Sequence, residues 1–262
     1  MAVKQLRTLD PYKEDHNYLR WLTESCYGHL IKLRRISRVP SRTLFPPLFC
    51  CKMPYYHRLS ALMKLYFDRK LHSRLLDCGC GIGALSFSAA EMGYQVTAID
   101  TSPIFIDFCL MLRGRPGPFE VELPGLGSFV RKAKLFVPSF FRDSQIEFLL
   151  GDALQMGFQD ESFDFIVSSN VLDRVADPTL AVSEIYRSLR PGGRLIVSSP
   201  LDWSLIYTPN VSCWFDSLIT VFSKKHWKIL HEETALQYQV RISDRFVEEY
   251  LCQVLVAEKR TK

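Results

Sequence analysis

The chain has no apolar run approaching the length of a membrane span. Its first fifteen residues are polar and charged, so they show no secretory hydrophobic region. Eight cysteines occur, at positions 26, 50, 51, 78, 80, 109, 213 and 252, and none forms a C-x-x-C pair. A metal site or a disulfide framework is therefore not expected; free thiols in a reducing, cytoplasmic setting are. A strong excess of one charge sign is lacking too. Lys and Arg number 33 against 28 Asp and Glu, a net +5 spread along the chain, so no basic stripe calls for a nucleic acid. What is present is a 47% hydrophobic composition over 262 residues, enough for one domain with a full core.

The most informative stretch runs Leu75-Leu76-Asp77-Cys78-Gly79-Cys80-Gly81-Ile82-Gly83. An apolar strand ends in an acid, three alternate glycines follow, and residues 84–92 read as a helix. Glycines there let the backbone turn tightly and approach a ligand without a Cβ in the way. Gly79-x-Gly81-x-x-Ala84 also fits a dinucleotide fingerprint, in which a helix N-terminus holds a pyrophosphate. The third glycine, Gly83, and the carboxylate of Asp77 tilt the reading: an acid so close suits an ammonium or sulfonium ligand better than a pyrophosphate.

Here the chain resembles the class I S-adenosylmethionine-dependent methyltransferases, and the middle of the sequence continues the resemblance in order. Residues 94–99 read as a second strand ending at Asp100, about 20 residues past the glycines, where an acid can accept both ribose hydroxyls. Residues 146–150 form a third strand ending at Gly151-Asp152-Ala153, where the resemblance implies contacts to the adenine edge. A fourth strand, 163–169, ends at Asn170-Val171-Leu172-Asp173. Asp177-Pro178 then signals a helix cap and first position, with an apolar face at Leu180, Ile185 and Leu189. Leu189-Arg190-Pro191-Gly192-Gly193 reads as a helix stop and tight turn into a fifth strand, 194–199. The resemblance implies an α/β fold, a Rossmann-like doubly wound sheet of seven strands with the last antiparallel. It implies S-adenosylmethionine as cofactor and S-adenosylhomocysteine as product. Asp77, Gly79, Cys80, Gly81, Gly83, Asp100, Thr101, Ser102, Asp152, Ala153 and Asn170 form the expected cofactor set.

One domain over 1–262 is expected, with a helical cap at 1–73 and a core at 74–262. Residues 19–33 and 55–71 carry apolar residues at helical spacing. The second of these leads into the first strand and, in this fold, covers the pocket, so Tyr55, Tyr56 and His57 are candidates to face substrate. Insertions fall at 113–143, a lid or binding loop, and at 200–225, where Trp203, Tyr207 and Trp214 would either stack on a flat substrate or anchor the loop. A sixth strand is expected near 227–231 and a seventh over 250–258.

A narrower likeness runs through Leu44-Phe45-Pro46 with Cys50, Asn170-Val171-Leu172-Asp173-Arg174-Val175-x-Asp177-Pro178, and Ser199-Pro200-x-x-Trp203-x-x-x-Tyr207-Thr208-Pro209. These are similar to the methyltransferase module of ovothiol-pathway sulfoxide synthases, although the glycine loop is of the more general form. That likeness implies N-methylation of an imidazole such as thiohistidine. Asp173 is then the candidate acceptor fixing the tautomer and Arg174 a partner for a substrate anion. Tyr56 is placed with them as catalytic, and Tyr55, Trp203 and Tyr207 as substrate-binding. The partner expected is a small-molecule methyl acceptor, with no membrane and no nucleic acid. A protein or RNA acceptor, a non-catalytic cofactor-binding subunit, and a nicotinamide dehydrogenase are the rival readings. The last is weakest, because nothing after the fourth strand resembles a hydride-transfer constellation.

Overall fold

The computed structural model describes residues 34–35, 54–68, 73–124, 130–222, 225–241 and 247–261. The expected helix at 19–33 lies outside them. In chain order the elements begin with β1 (Arg34–Arg35), α1 (Pro54–Tyr66), β2 (Arg74–Cys78), α2 (Ala84–Glu91), β3 (Gln95–Asp100) and α3 (Pro103–Gly114). They continue with β4 (Gly117–Pro124), β5 (Val130–Val137), α4 (Phe140–Asp143), β6 (Ile146–Leu150) and β7 (Phe163–Ser169). The last are α5 (Pro178–Ser188), β8 (Leu189–Ser199), α6 (Leu218–Phe222), β9 (Trp227–Arg241) and β10 (Val247–Lys259).

Seven strands form one sheet in the order β6-β3-β2-β7-β8-β10-β9. The first five are parallel, and β10 inserts antiparallel to both β8 and β9. This is the expected α/β architecture with its antiparallel last strand. Central parallel strands are covered on both faces and so carry little polar alternation; Leu75, Leu76, Ile166, Val167, Ile196 and Val197 are all buried. One core layer packs α1, α2 and α3 on the sheet, with Phe87 stacked on Phe141 at 3.6 Å. The other packs α5 and α6 on the opposite face around Leu172, Ile185, Leu195 and Phe222.

Local signals explain the helix starts. Ser102 caps α3, its Oγ accepting from Phe105 N at 3.3 Å, with Pro103 at the first helical turn. Asp177 caps α5 in the same way, accepting from Leu180 N at 3.0 Å ahead of Pro178.

Three expectations need correction. The insertion 113–143, read as a lid or binding loop, is built of strands rather than irregular loop over most of its described residues. Its alternating Phe119-Glu120-Val121-Glu122-Leu123 and Arg131-Lys132-Ala133-Lys134-Leu135 favour strands, and the backbone forms a hairpin of β4 and β5 joined by β1. Its register sets Glu120 opposite Lys134 and Glu122 opposite Lys132. The turn at Pro191-Gly192-Gly193 is absorbed into β8 as a register shift between Phe163 and Phe165 of the neighbouring strand. The sixth strand is 15 residues long rather than a short segment. At a sheet edge its outer face can be polar, and Glu232, Thr234 and Gln239 hide it from a search for apolar alternation.

Candidate active site

Four strand ends converge on one cavity of about 460 Å³, within the range of small-molecule sites. Its floor is the glycine loop after β2. Gly79 N and Cys80 N both donate to Ile99 O, at 2.9 and 2.8 Å, which ties the loop to β3. Gly79 sits at φ 75, and a Cβ there would come within 2.2 Å of Val171 Cγ2. Only glycine fits that cradle.

Asp77 is buried beneath the loop and accepts from Ser86 Oγ at 2.6 Å. Burial pushes its carboxyl up to about 7, the Ser86 bond opposes this, and the charge of Asp100 adds to it. Asp100, at the end of β3, accepts from Gly81 N at 2.8 Å and Ser102 N at 2.9 Å. Asp152, after β6, accepts from Leu154 N at 2.9 Å. Asn170 ends β7 in the left-handed region at φ 56, a conformation that asparagine adopts more readily than most residues.

The sequence-derived cofactor residues Asp77, Gly79, Cys80, Gly81, Asp100, Thr101, Asp152, Ala153 and Asn170 all line this cavity, as do Tyr56, Arg174 and Tyr207. Gly83 and Ser102 do not; they start α2 and cap α3, shaping the wall from behind.

Three residues assigned to substrate or chemistry lie off the cavity. Tyr55 is wholly buried, its ring packed at 4.7 Å from Tyr238 and its hydroxyl bonded to Ser169, Asn170 and Ser198. Trp203 stacks on Trp214 with ring centres 6.0 Å apart and donates Nε1 to Phe215 O, while Trp214 Nε1 donates to Thr208 O. Both indoles spend their polar ends pinning the excursion after β8, which is the loop-anchoring alternative. Asp173 is buried, accepts from Ser199 Oγ at 2.9 Å, and has its carboxyl pushed up by burial against the pull of Arg174. It reaches the cavity only through Arg174.

The role expected for Arg174 also changes. Nη1 donates to Asp173 O at 3.1 Å and Asp202 O at 2.7 Å, and Nη2 to Asp202 Oδ2 at 3.2 Å. With both Nη1 hydrogens spent on carbonyls, Asp173 Oδ2 has the charge of Arg174 at 3.1 Å but receives no hydrogen bond. Arg174 is thus a strut between two carboxylates, stacked 5.1 Å over Tyr207, rather than a free anion clamp.

Tyr238 and Ile206 were missed. Tyr238 reaches the cavity from β9, and Ile206 is 85% exposed at its mouth. No local motif in the sequence marks either residue as part of a site.

The donor set suits a cationic nucleoside ligand. Three carboxylates and a single arginine line the cavity, and that arginine is already paired twice. The comparisons agree. Residues 76–197 match the family described as methyltransferase domain. A ubiquinone biosynthesis O-methyltransferase of Xanthomonas oryzae pv. oryzae is 32% identical over 146 residues, 55% of this chain and 51% of that protein. The chain spans about half the length of the curated relatives it matches. A solved S-adenosylmethionine-dependent methyltransferase from Methanosarcina mazei superposes with a TM-score of 0.52 at 20% identity, over 76% of this chain and 98% of that one. TehB from Haemophilus influenzae gives 0.55 at 18% identity, over 78% and 62%. Likeness at that identity speaks for the fold. Strand order, glycine cradle and acidic donor set agree with that match: residues 76–197 are similar to methyltransferase domains, and the site suits S-adenosylmethionine as cofactor.

Proposed function

We propose that the protein methylates a small aromatic molecule held in the mouth of this cavity, the acceptor being an imidazole nitrogen such as that of thiohistidine. The observation that carries this reading is the make-up of the mouth. Beyond the strand ends and the glycine loop, Tyr56, Tyr207, Tyr238 and the exposed Ile206 line the cavity, and no His, Lys or Glu lines it among the described residues. The cavity's carboxylates sit at the ends of β2, β3 and after β6, at the cofactor end. An acceptor that needs no strong base fits such a mouth, and imidazole, with a pKa of about 6.5, is mostly neutral at pH 7.

When bound, S-adenosylmethionine would supply the methyl group: its C–S bond breaks as the C–N bond forms, S-adenosylhomocysteine leaves, and the ring N–H proton of the methylated imidazole passes to solvent. The chain has to align the two partners and exclude water. Positioning of this kind supplies about 7–11 kcal/mol of barrier reduction. Asp100, which accepts from Gly81 N and Ser102 N, would hold the ribose hydroxyls with its remaining lone pairs, Asp77 would offset the cationic end, and Asp152 with Ala153 would take the adenine edge. Tyr56, Tyr207 and Tyr238 wall the acceptor ring, where aromatic contact adds about 0.5–1.5 kcal/mol per pair beyond area burial.

A second reading has one observation behind it: the relatives at 32% identity are named O-methyltransferases, so a phenolic oxygen is the competing acceptor. Incubation with S-adenosylmethionine and, separately, thiohistidine, histidine and a catechol, read by mass spectrometry, decides between them. A methyl group placed on ring nitrogen by fragmentation is expected. Product from the catechol alone would give the site to oxygen. Methylation of protein or RNA from a cell extract, with no small-molecule product, would overturn both.

A further inference from the structure

Behind the cavity wall, where β7 and β8 end, lies a buried polar cluster. Tyr55, carried into the core by α1, places its hydroxyl 2.8 Å from Ser169 Oγ, 2.5 Å from Ser198 Oγ and 2.8 Å from Asn170 Oδ1, to which it donates. A tyrosine hydroxyl has one hydrogen, so with that hydrogen on Asn170 the two serines donate to the tyrosine oxygen. Cys252 on β10 donates its thiol to the same Asn170 Oδ1 at 3.6 Å. Burial pushes the Tyr55 hydroxyl well above the ordinary tyrosine range, and Cys252 up to about 12, so both stay protonated donors.

The carboxamide oxygen of Asn170 is thereby engaged twice from inside the protein. No hydrogen bond to Asn170 Nδ2 exists among the described residues, nor is that nitrogen among the buried polar atoms left without a partner. Asn170 lines the cavity with Ser169 and Val171, and Tyr55, which bonds to it, has its ring 5.1 Å from Tyr56 and 4.7 Å from Tyr238, two further lining residues. The end of the amide left for a ligand is the NH₂ group, which can only donate.

We propose that Tyr55 is a positioning residue that locks the Asn170 amide with its N–H groups toward the methyl acceptor. The site therefore selects acceptors with a lone-pair oxygen, a carboxylate above all, beside the nucleophilic ring atom, and disfavours those with an ammonium there. The inference rests on the small-aromatic reading above and narrows it to a chemical class. Three of the five Arg174 N–H groups are engaged by the Asp173 carbonyl and by Asp202; the Asn170→Asp comparison leaves the guanidinium in place and so reads the amide alone.

The test uses the full chain saturated with S-adenosylhomocysteine at pH 8 and two probes on one ring, imidazole-4-carboxylate and 4-(aminomethyl)imidazole, compared by ligand-observed NMR titration. Wild-type protein is expected to bind the carboxylate at least about tenfold more tightly, the effect of one charge-assisted hydrogen bond. Asn170→Asp keeps a residue that tolerates φ 56 but turns the donor into a carboxylate; it should invert the order. Tyr55→Phe keeps the ring and removes the lock; its preference should shrink to less than about threefold, one amide orientation no longer being enforced. Equal or better binding of the ammonium probe by wild type, a preference that survives Asn170→Asp, or binding of neither probe to the saturated protein overturns the proposal. Full preference in a folded Tyr55→Phe variant removes Tyr55 from it, and if that variant does not fold, Asn170→Asp still decides. Failure of S-adenosylhomocysteine to bind at all would instead bring down the functional reading on which this one stands.

Discussion

The two halves of the cavity are built by different means. The cofactor half comes from neighbouring parallel strands β2, β3 and β6, where the sheet topology brings Asp77, Asp100 and Asp152 together and the backbone makes the cradle. The mouth comes from α1, the excursion after β8 and the edge strand β9, elements brought together only by tertiary packing. Tyr56, Ile206, Tyr207 and Tyr238 all lie outside the segment 76–197 that matches the family. On the reading proposed above, the strand ends of β2, β3 and β6 hold the cofactor, and these four side chains, with the amide of Asn170 from inside the segment, choose the acceptor. Substitutions on either side should therefore separate cofactor affinity from acceptor affinity.

The largest effect is expected at Gly79. An added Cβ meets Val171 Cγ2 at 2.2 Å, and φ 75 is costly for any side chain, about 1–2 kcal/mol before the clash. Gly79→Ala should weaken S-adenosylhomocysteine binding by roughly a hundredfold or more in calorimetric titration. Gly81→Ala, at φ 52 with nothing within 4 Å of its Cβ, should cost far less. Equal losses at the two positions would mean that the cradle works through flexibility and not through shape.

Next comes the pH dependence set by Asp77. Its folded-state carboxyl, at about 7, lies above its ordinary value of 3.8. Between those values the folded protein holds a proton that the unfolded chain has released, so cofactor-free stability falls as pH rises from 4 to 7 and levels off above. The span is about 4 kcal/mol at most, at 1.36 kcal/mol per pH unit. Affinity for the cationic cofactor should run the other way, strengthening as pH rises through 7 and the carboxylate forms. Thermal melts and S-adenosylmethionine titrations across pH 5–8 would show opposite slopes in the wild type. In Asp77→Asn both slopes should flatten, and a wild-type affinity independent of pH would detach Asp77 from the ligand.

The same contrast explains what was legible in the sequence. The cofactor half follows local rules: an acid at a strand end, glycines at forced φ, Ser102 and Asp177 as caps. Each of these leaves its signature within a few residues. The mouth does not. Tyr55 and Tyr56 are neighbours on one helix, yet one enters the core and the other the cavity, a difference set by the helix face that α1 turns to β7 and β9. Tyr238 sits in a strand whose polar edge disguised its length. Arg174 reads as an anion clamp until Asp202, 28 residues away, folds over it. Charge that is free in sequence is often already matched in space.

A mid-sized effect should come from the mouth itself. Tyr238→Phe keeps the ring against Tyr55, and Tyr207→Ala removes the face over which Arg174 lies. Steady-state kinetics should show acceptor KM raised several-fold to about tenfold in Tyr207→Ala, from the loss of aromatic contact worth about 0.5–1.5 kcal/mol, with a smaller change in Tyr238→Phe. Cofactor KM should stay within a factor of about two, since ring contacts to the acceptor leave the cofactor cradle intact. If cofactor and acceptor constants rise together, the division between the two halves fails.

The smallest effect, that of Asp202→Asn, separates a strut from a clamp at Arg174. Asp202 is exposed, and an exposed ion pair is worth about 0–1 kcal/mol, so Asp202→Asn should change melting temperature and acceptor KM only slightly. Asp173 is buried, and Asp173→Asn also weakens its bond from Ser199. Its effect on melting should exceed that of Asp202→Asn, because a buried polar group that loses its match costs about 1–3 kcal/mol. If Arg174 is a strut, neither change gains affinity for an anionic acceptor. If Asp202→Asn frees the guanidinium and the carboxylate probe binds more tightly to it than to wild type, Arg174 is a clamp held in reserve. The mouth would then have two ways of reading an anion, Arg174 as well as the amide of Asn170.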